Sequence, residues 1–162
     1  MGQSTSAIES VPTVYRVVLT TIEPLFATLG ALGAFTSPAP YIAAMTRHLG
    51  VFDPASQFVF TQLGGGWLYF AFNEAVTLRL CDDLRIWKIL SIGMLLSDIA
   101  YCHSTAQAVG GWSSYLNLSL WTTEDWLVLV TTMPMVTIRV LILLGVGLKK
   151  SSKNSGKDSK KQ

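Results

Sequence analysis

Charge is what this chain lacks most. Only 14% of its 162 residues are Asp, Glu, Lys or Arg, where soluble domains usually carry about 25%. So few polar groups cannot coat a water-facing surface around a chain that is 50% hydrophobic, which argues against a soluble globular enzyme. Cysteine is nearly missing too. Cys81 and Cys102 are the only two, which excludes a disulfide scaffold and a four-cysteine zinc site. Histidine is limited to His48 and His103. They are not spaced one helical turn apart, so no metal site is expected. Basic residues are sparse along the body: six of the twelve Lys and Arg lie within positions 149–162. A nucleic-acid face needs positive charge spread over a folded surface, so no nucleic-acid partner is expected.

What is present in quantity is apolar sequence. A helix needs about 20 apolar residues to cross a hydrocarbon core roughly 30 Å thick. Four segments approach that length: Val14 to Phe35, Phe58 to Leu80, Ile86 to Tyr101 (the shortest), and Trp126 to Leu148. Lipid offers exposed backbone groups no partner, so such spans form helices rather than open strands. The expected fold is all-α, an integral membrane bundle of four transmembrane helices over residues 14–148. An N-terminal tail covers 1–13 and a basic tail 149–162. The first span is not expected to be a signal peptide. The preceding residues hold no Lys or Arg, Arg16 sits inside its apolar edge, and Glu23-Pro24 interrupts the run. Met1-Gly2 with Ser6 matches a myristoylation start only loosely, and a multi-span protein needs no lipid anchor.

The basic residues set the expected orientation. Arg79, Arg85 and Lys88 flank the short link between spans two and three, and Lys149, Lys150, Lys153, Lys157, Lys160 and Lys161 fill the C-terminal tail. The first connection has only Arg47, and the third, from Cys102 to Asp125, has no Lys or Arg. Positive charge is retained on the cytosolic side, which places both termini and the middle link in the cytosol. Trp112, Trp121 and Trp126 form an interfacial belt on the opposite side, with Tyr15 and Trp87 marking the cytosolic one. Asn117-Leu118-Ser119 is a glycosylation sequon in the luminal connection, making Asn117 a candidate glycan site. The Lys third from the C-terminus partly matches a dilysine retrieval signal, and the endoplasmic reticulum is the expected compartment.

Each span also carries an ionisable residue at membrane depth, and each such charge costs at least about 2.5 kcal/mol to insert. Glu23 lies in span one, Glu74 in span two, Asp98 in span three and Arg139 in span four. Counted inward at 1.5 Å per residue, Glu23 and Arg139 fall roughly 13 Å deep, Glu74 about 9 Å and Asp98 about 18 Å. The spacing thus predicts three carboxyls and one guanidinium in one layer of the bundle. One reading is a structural salt-bridge network. The other follows from the excess of acids. Arg139 cannot neutralise three carboxyls, and a buried carboxyl without a cation keeps its proton and can act as a Brønsted acid.

Neighbouring residues extend the candidate site. Gln62, Tyr69 and Asn73 share one helical face beside Glu74, and Ser91, Met94, Asp98 and Tyr101 share another. Pro24 is expected to bend the first span at Glu23. Gly64-Gly65-Gly66 allows close helix approach; it lacks the setting and the Lys of a phosphate loop. Asp82-Asp83 could hold a diphosphate through Mg²⁺, but the further acids of such a motif are missing, so helix capping or a solvated role is preferred. Capping is also the expectation for Glu124-Asp125.

Several strings carry a family resemblance. They are Tyr15-Arg16, Ile22-Glu23-Pro24-Leu25, Gln62-Leu63, Asn73-Glu74-Ala75 with Leu78-Arg79, Asp83-Leu84-Arg85-Ile86-Trp87-Lys88, Ser97-Asp98, and Trp121 through Trp126. Together they resemble a family of small fungal four-span membrane proteins found in secondary-metabolite gene clusters, a kind that includes meroterpenoid terpene cyclases. The better-known cyclases resemble a longer, seven-span design, so their paired acids carry over by analogy only. The resemblance implies a metal-independent lyase or isomerase that cyclises a lipophilic prenylated substrate within the bilayer, without a cofactor. Glu23, Glu74 and Asp98 would be catalytic, with Asp98 or Glu23 donating the proton and Glu74 holding or resetting it. Tyr69, Asn73, Tyr101 and Arg139 would contact substrate, and Tyr69, Trp67, Phe70 and Tyr101 would line the cavity and stabilise a cation. The alternative is a non-catalytic membrane accessory or scaffold whose buried charges are structural.

Overall fold

The computed structural model describes residues 5–149; the expectations for the basic tail beyond Lys149 lie outside them. The described residues form an all-α fold without strands. A short helix α1 (Ala7–Ser10) leads into α2 (Thr13–Thr36), and α3 (Pro38–Met45) follows. Helix α4 covers 57–80, α5 is Leu84–Ala108, α6 is Trp112–Tyr115 and α7 is Thr123–Leu144. By length and composition α2 and α7 can cross a membrane. Helices α4 and α5 are as long but more polar, so the expectation of four spans is met on these terms by two of them.

Helix ends follow the local chemistry. Asp83 caps α5 by accepting the Arg85 N–H at 2.8 Å. Thr122 and Asp125 form a reciprocal capping box at the start of α7. Gly145, at φ 76°, ends α7 in the left-handed conformation that glycine adopts without strain. That stop leaves Gly145 to Leu148 outside the helix, four residues short of the expected span. The third expected span is instead extended. Cys102 to Ala108, read as a luminal loop, continue α5 and make it the longest helix described.

The helices pair as two antiparallel hairpins. Gly30 faces Trp67, and Phe35 faces Gly64, so positions rise along α2 as they fall along α4. A Cβ at Gly30 would lie 2.0 Å from the Trp67 ring, and one at Gly64 would lie 2.5 Å from the Phe35 ring. Glycine is therefore required at both positions for the helices to meet this closely. Gly30→Ala is expected to destabilise the protein by about 1–3 kcal/mol through overpacking. Gly65→Ala, with open space around it, should stay within about 0.5 kcal/mol. Thermal melts of the purified variants compare the two.

At one end the hairpins fuse. Ala7, Val11, Leu19, Leu78, Trp87, Ile138 and Ile142 form a continuous buried cluster drawn from α1 and all four long helices. Trp87 is 2% exposed and donates its indole N–H to the Cys81 carbonyl at 3.2 Å. It is a core residue and not an interfacial marker. The N-terminal segment is likewise no free tail from Thr5 onward. The Thr5 carbonyl accepts the Leu84 N–H at 2.9 Å, and the Ser10 carbonyl accepts the Lys149 N–H at 2.8 Å. Both ends of the described chain and the link between α4 and α5 therefore meet at one end of the bundle.

Asp82 fastens this junction. Its carboxylate accepts the Ile8 N–H at 2.7 Å and the Ser6 hydroxyl at 2.8 Å. The Ile8 N–H, with Ser6 next, holds the Asp82 carboxyl below its ordinary value of 3.8. A carboxylate whose pKa is depressed on folding stabilises the fold above its unfolded value, and the contribution is lost as pH falls through the folded one. Hydrogen exchange of residues 5–11 should therefore accelerate below about pH 4. Asp82→Asn should exchange fast at neutral pH as well, losing most of that pH dependence.

Candidate functional site: a carboxylate cluster beneath an aromatic cavity

Two irregular turns position the central residues. In α2, Pro24 has no N–H to bond the preceding turn, and residues Val18–Ile22 widen into a π-turn in which the Glu23 N–H reaches back to the Val18 carbonyl. In α4, residues Asn73–Thr77 form a second π-turn, with the Leu78 N–H bonded to the Asn73 carbonyl. Such bulges re-aim side chains and recur at functional sites. Here they direct Glu23 and Glu74 into the gap between the hairpins. The expected bend at Pro24 is thus a π-turn.

Arg139 of α7 fills that gap. It is fully buried. Its Nη2 donates to Glu23 Oε1 and, at 2.9 Å, to Glu74 Oε1. Its Nη1 donates to Asp98 Oδ2 at 2.6 Å. The guanidinium also lies 5.0 Å from the centroid of the Phe70 ring, within cation–π range. The structure thus brings together the four ionisable groups expected in one layer. Glu23 Oε2, Glu74 Oε2 and Arg139 Nε have no hydrogen-bond partner among the described residues. Arg79 and Lys88, the basic residues of α4 and α5 that flank their link together with Arg85, have other partners. Arg79 bonds Thr21 Oγ1 at 2.9 Å, and Lys88 bonds the Leu143 carbonyl at 3.5 Å. Three carboxyls facing one guanidinium would hold two uncompensated negative charges if all were ionised. The cluster thus holds more acids than the one cation bonded to them can balance. A metal ion has no obvious place here, because Arg139 sits where a cation between the three acids would bind.

A cavity of about 480 Å³ rises from this cluster between the hairpins, within the 300–1,000 Å³ typical of ligand sites. Glu23, Asp98 and Met135 lie at its base. Tyr41, Trp67, Phe70 and Tyr101 supply aromatic walls, and Thr131 and Thr132 add hydroxyls from α7. The rings interlock edge to face, with Tyr41–Trp67 centroids 5.7 Å apart and Trp67–Tyr101 centroids 6.5 Å apart. Tyr101 donates its hydroxyl to Met45 Sδ at 3.3 Å. Phe26 and Leu29 of α2 and Leu127 of α7 line the cavity and are also exposed on the outer surface. The cavity therefore opens sideways between α2 and α7.

The other sequence candidates fall elsewhere. Glu74 is completely buried behind Arg139 and is not part of the cavity wall. Tyr69 is 70% exposed on the outer face of α4. Asn73 donates its amide to the Tyr69 carbonyl at 3.0 Å and does not line the cavity. The face containing Gln62, Tyr69 and Asn73 points outward, because residues 64, 67, 71, 74 and 78 occupy the inward stripe. Asn117 is exposed, in the connection between α5 and α7, with its Oδ1 accepting from the Ser119 hydroxyl at 2.7 Å. Asp82 and Asp83 bind backbone and hydroxyl donors as described. Among the described residues no three His, Cys, Asp or Glu are set to hold a metal ion.

Two contributors were missing from the sequence reading. Tyr41 of α3 enters the cavity from a connecting segment. Arg47, just beyond α3, donates to Asp125 Oδ2 at 2.8 Å and to the Ser114 carbonyl at 3.1 Å. Arg47 and His48 hold φ of 51° and 63°, a conformation that non-glycine residues adopt at a cost of about 1–3 kcal/mol each. This pairing ties the end of α3 to α6 and to the start of α7. Only a strained αL pair and a buried charge reveal it, and neither shows in the sequence.

A family model described as Domain of unknown function (DUF7704) matches residues 8–149. No curated protein and no solved structure shows significant similarity to the chain.

Proposed function

The chain belongs to the DUF7704 family, and from that footing we propose that it is a multi-pass membrane enzyme, a metal-independent terpene cyclase or isomerase of secondary metabolism. In this reading all four long helices span the bilayer. The fused end with both termini faces the cytosol, and the membrane is that of the endoplasmic reticulum. The scarcity of charge, the two apolar helices and the outward apolar surface support membrane residence. One observation carries the catalytic reading: two carboxyls, Glu23 and Asp98, lie at the base of an aromatic cavity that opens sideways, with more acids than cations around them.

The chemistry follows from that geometry. A prenylated lipophile enters from the bilayer between α2 and α7. A protonated Asp98 or Glu23 transfers its proton to a terminal olefin or epoxide of the chain. The resulting cation is attacked by an internal double bond while Trp67, Phe70, Tyr41 and Tyr101 present their π-faces to it. Loss of a proton from the cyclised cation returns it to a carboxylate of the cluster, so an olefin or epoxide substrate is isomerised without a co-reactant. Glu74, held on Arg139 behind the wall, keeps the cluster anionic enough to take the proton back.

The test is conversion by membranes containing the protein. Prenylated phenols and their terminal epoxides are supplied with a chelator present, and products of unchanged mass that contain a new carbocycle are sought by mass spectrometry and NMR. Failure to convert any of them, against membranes lacking the protein, would count against catalysis. A second reading is favoured by one observation: Arg139 joins carboxyls from α2, α4 and α5, as a purely structural staple would. The protein would then be a membrane accessory or scaffold.

A further inference from the structure

The outward face of α4 has no role in the cavity, yet it is polar where a lipid-facing helix should not be. Gln62 and Tyr69 are exposed, and Asn73 is half-buried. With Gly66 they lie in one stripe at i, i+4, i+7 and i+11. The stripe is about 16 Å long and centred near the middle of the helix. Tyr69 lies about 18 Å from either end of α4, far from the interface where tyrosine normally anchors a span. The Gln62 amide and the Tyr69 hydroxyl make no side-chain hydrogen bond among those described. By contrast, Thr28, Thr36, Thr61 and Thr131 return their hydroxyls to their own helix. Gly65 and Gly66 have nothing within 4 Å of where a Cβ would stand, so a second backbone can come close.

We propose that this stripe is the interface of a parallel homodimer, in which α4 of one copy packs against α4 of a second. The proposal rests on the membrane-spanning reading. In water the stripe would be solvated; in lipid its donors and acceptors need a protein partner. The occupant is a second copy because the chemistry is self-complementary. Copies inserted in the same orientation are related by a two-fold axis along the bilayer normal, so each residue near the axis meets its own counterpart at equal depth. A primary amide offers both a donor and an acceptor, and so does a phenol. Gln62 can therefore pair with Gln62, and Tyr69 with Tyr69, with no net charge in the bilayer. Gly66 between them lets the helices approach. Asn73 stays on its own Tyr69 carbonyl and extends the polar edge. The dimer leaves the opening between α2 and α7 free, because α4 is not one of the helices that frame it.

Disulfide crosslinking in native membranes tests the interface. Cys81 and Cys102 are replaced by Ser, and a single cysteine is placed at Gly66 or, on the outward face of α5, at Leu96. Gly66→Cys has room for its side chain and should fold normally. Mild oxidation should give a dimer band for Gly66→Cys at least tenfold stronger than for Leu96→Cys. Adding Gln62→Leu and Tyr69→Phe should weaken self-association by roughly tenfold, the loss of two interhelical hydrogen bonds. Equal or absent crosslinking at the two positions, with the protein retained in carbonate-washed membranes, would overturn the dimer and leave the membrane reading standing. Release of the protein by the carbonate wash would overturn both.

Discussion

Arg139→Leu is expected to lose about 3–5 kcal/mol of stability and most of the protein's steady-state level in membranes. The substitution removes the only cation bonded to Glu23, Glu74 and Asp98 among the described residues. It leaves three buried carboxyls facing one another, and all three would then need to bind protons for the bundle to close. Each single amide substitution points the other way. Glu74→Gln removes one negative charge from a cluster that already holds an excess, and keeps a hydrogen-bond acceptor for Arg139. Its cost should stay near 1 kcal/mol or below, as for one exchanged hydrogen bond. The asymmetry between the Arg and the acid variants is the informative quantity. Quantitative blotting of membranes, together with thermal melts in detergent, measures it. If Arg139→Leu accumulated to the normal level, the guanidinium would not be what holds the helices together.

If the proposed catalysis holds, Asp98→Asn and Glu23→Gln each lower turnover by a factor of about 10² to 10⁴ while leaving abundance within about twofold. The amide keeps the volume and an acceptor oxygen for Arg139 but cannot deliver a carboxyl proton. The two residues differ from Glu74 in one respect that decides the size of the effect: both line the cavity and Glu74 does not. Glu74→Gln should therefore reduce turnover less than either. Phe70→Leu keeps an apolar wall and removes a π-face. It should lower turnover modestly, by no more than the tenfold to thirtyfold that one desolvated cation–π contact of ~2 kcal/mol supplies. Full activity in both Asp98→Asn and Glu23→Gln would eliminate intramembrane acid catalysis as the mechanism.

Both expectations also separate the two functional readings. A structural staple predicts that the Arg variant fails and that the acid variants matter only through abundance. A catalytic site predicts inactive acid variants at normal abundance. Measuring level and turnover on the same membrane preparations keeps the two apart.

How much could be read beforehand varies by residue. The meeting of Glu23, Glu74, Asp98 and Arg139 was legible because a charge inside an apolar run is costly. Four such charges at similar depth on antiparallel helices have an obvious way to lower that cost. Tyr69 and Asn73 were misplaced because their polarity was taken to mark the inward face. In lipid the apolar residues gain nothing by facing inward, so a polar stripe can lie outside if it finds a partner. Asn73 and Glu74 are also successive residues about 100° apart on a helix, and only one of them can point fully inward. Trp87 was taken as an interfacial marker because tryptophan is enriched at membrane–water interfaces. Its burial comes from α1 folding over it, a contact across about 80 positions of sequence.

The sequence by itself determined the all-α class, the apolar character of α2 and α7 and the identity of the charged quartet. These depend on local composition and on the cost of placing charge in oil, both of which are properties of the chain read in order. Only the tertiary structure decided that Glu74 stands behind Arg139 while Glu23 and Asp98 reach the cavity. It also decided that Tyr41 joins the aromatic wall, that Arg47 bonds Asp125 at the start of α7, and that residues from Thr5 onward pack onto the fused end of the bundle. Those outcomes depend on helix rotation, on two π-turns that shift it, and on contacts between distant segments. Rotation is fixed by how side chains interlock, as at Gly30 against Trp67, and not by the order in which they occur.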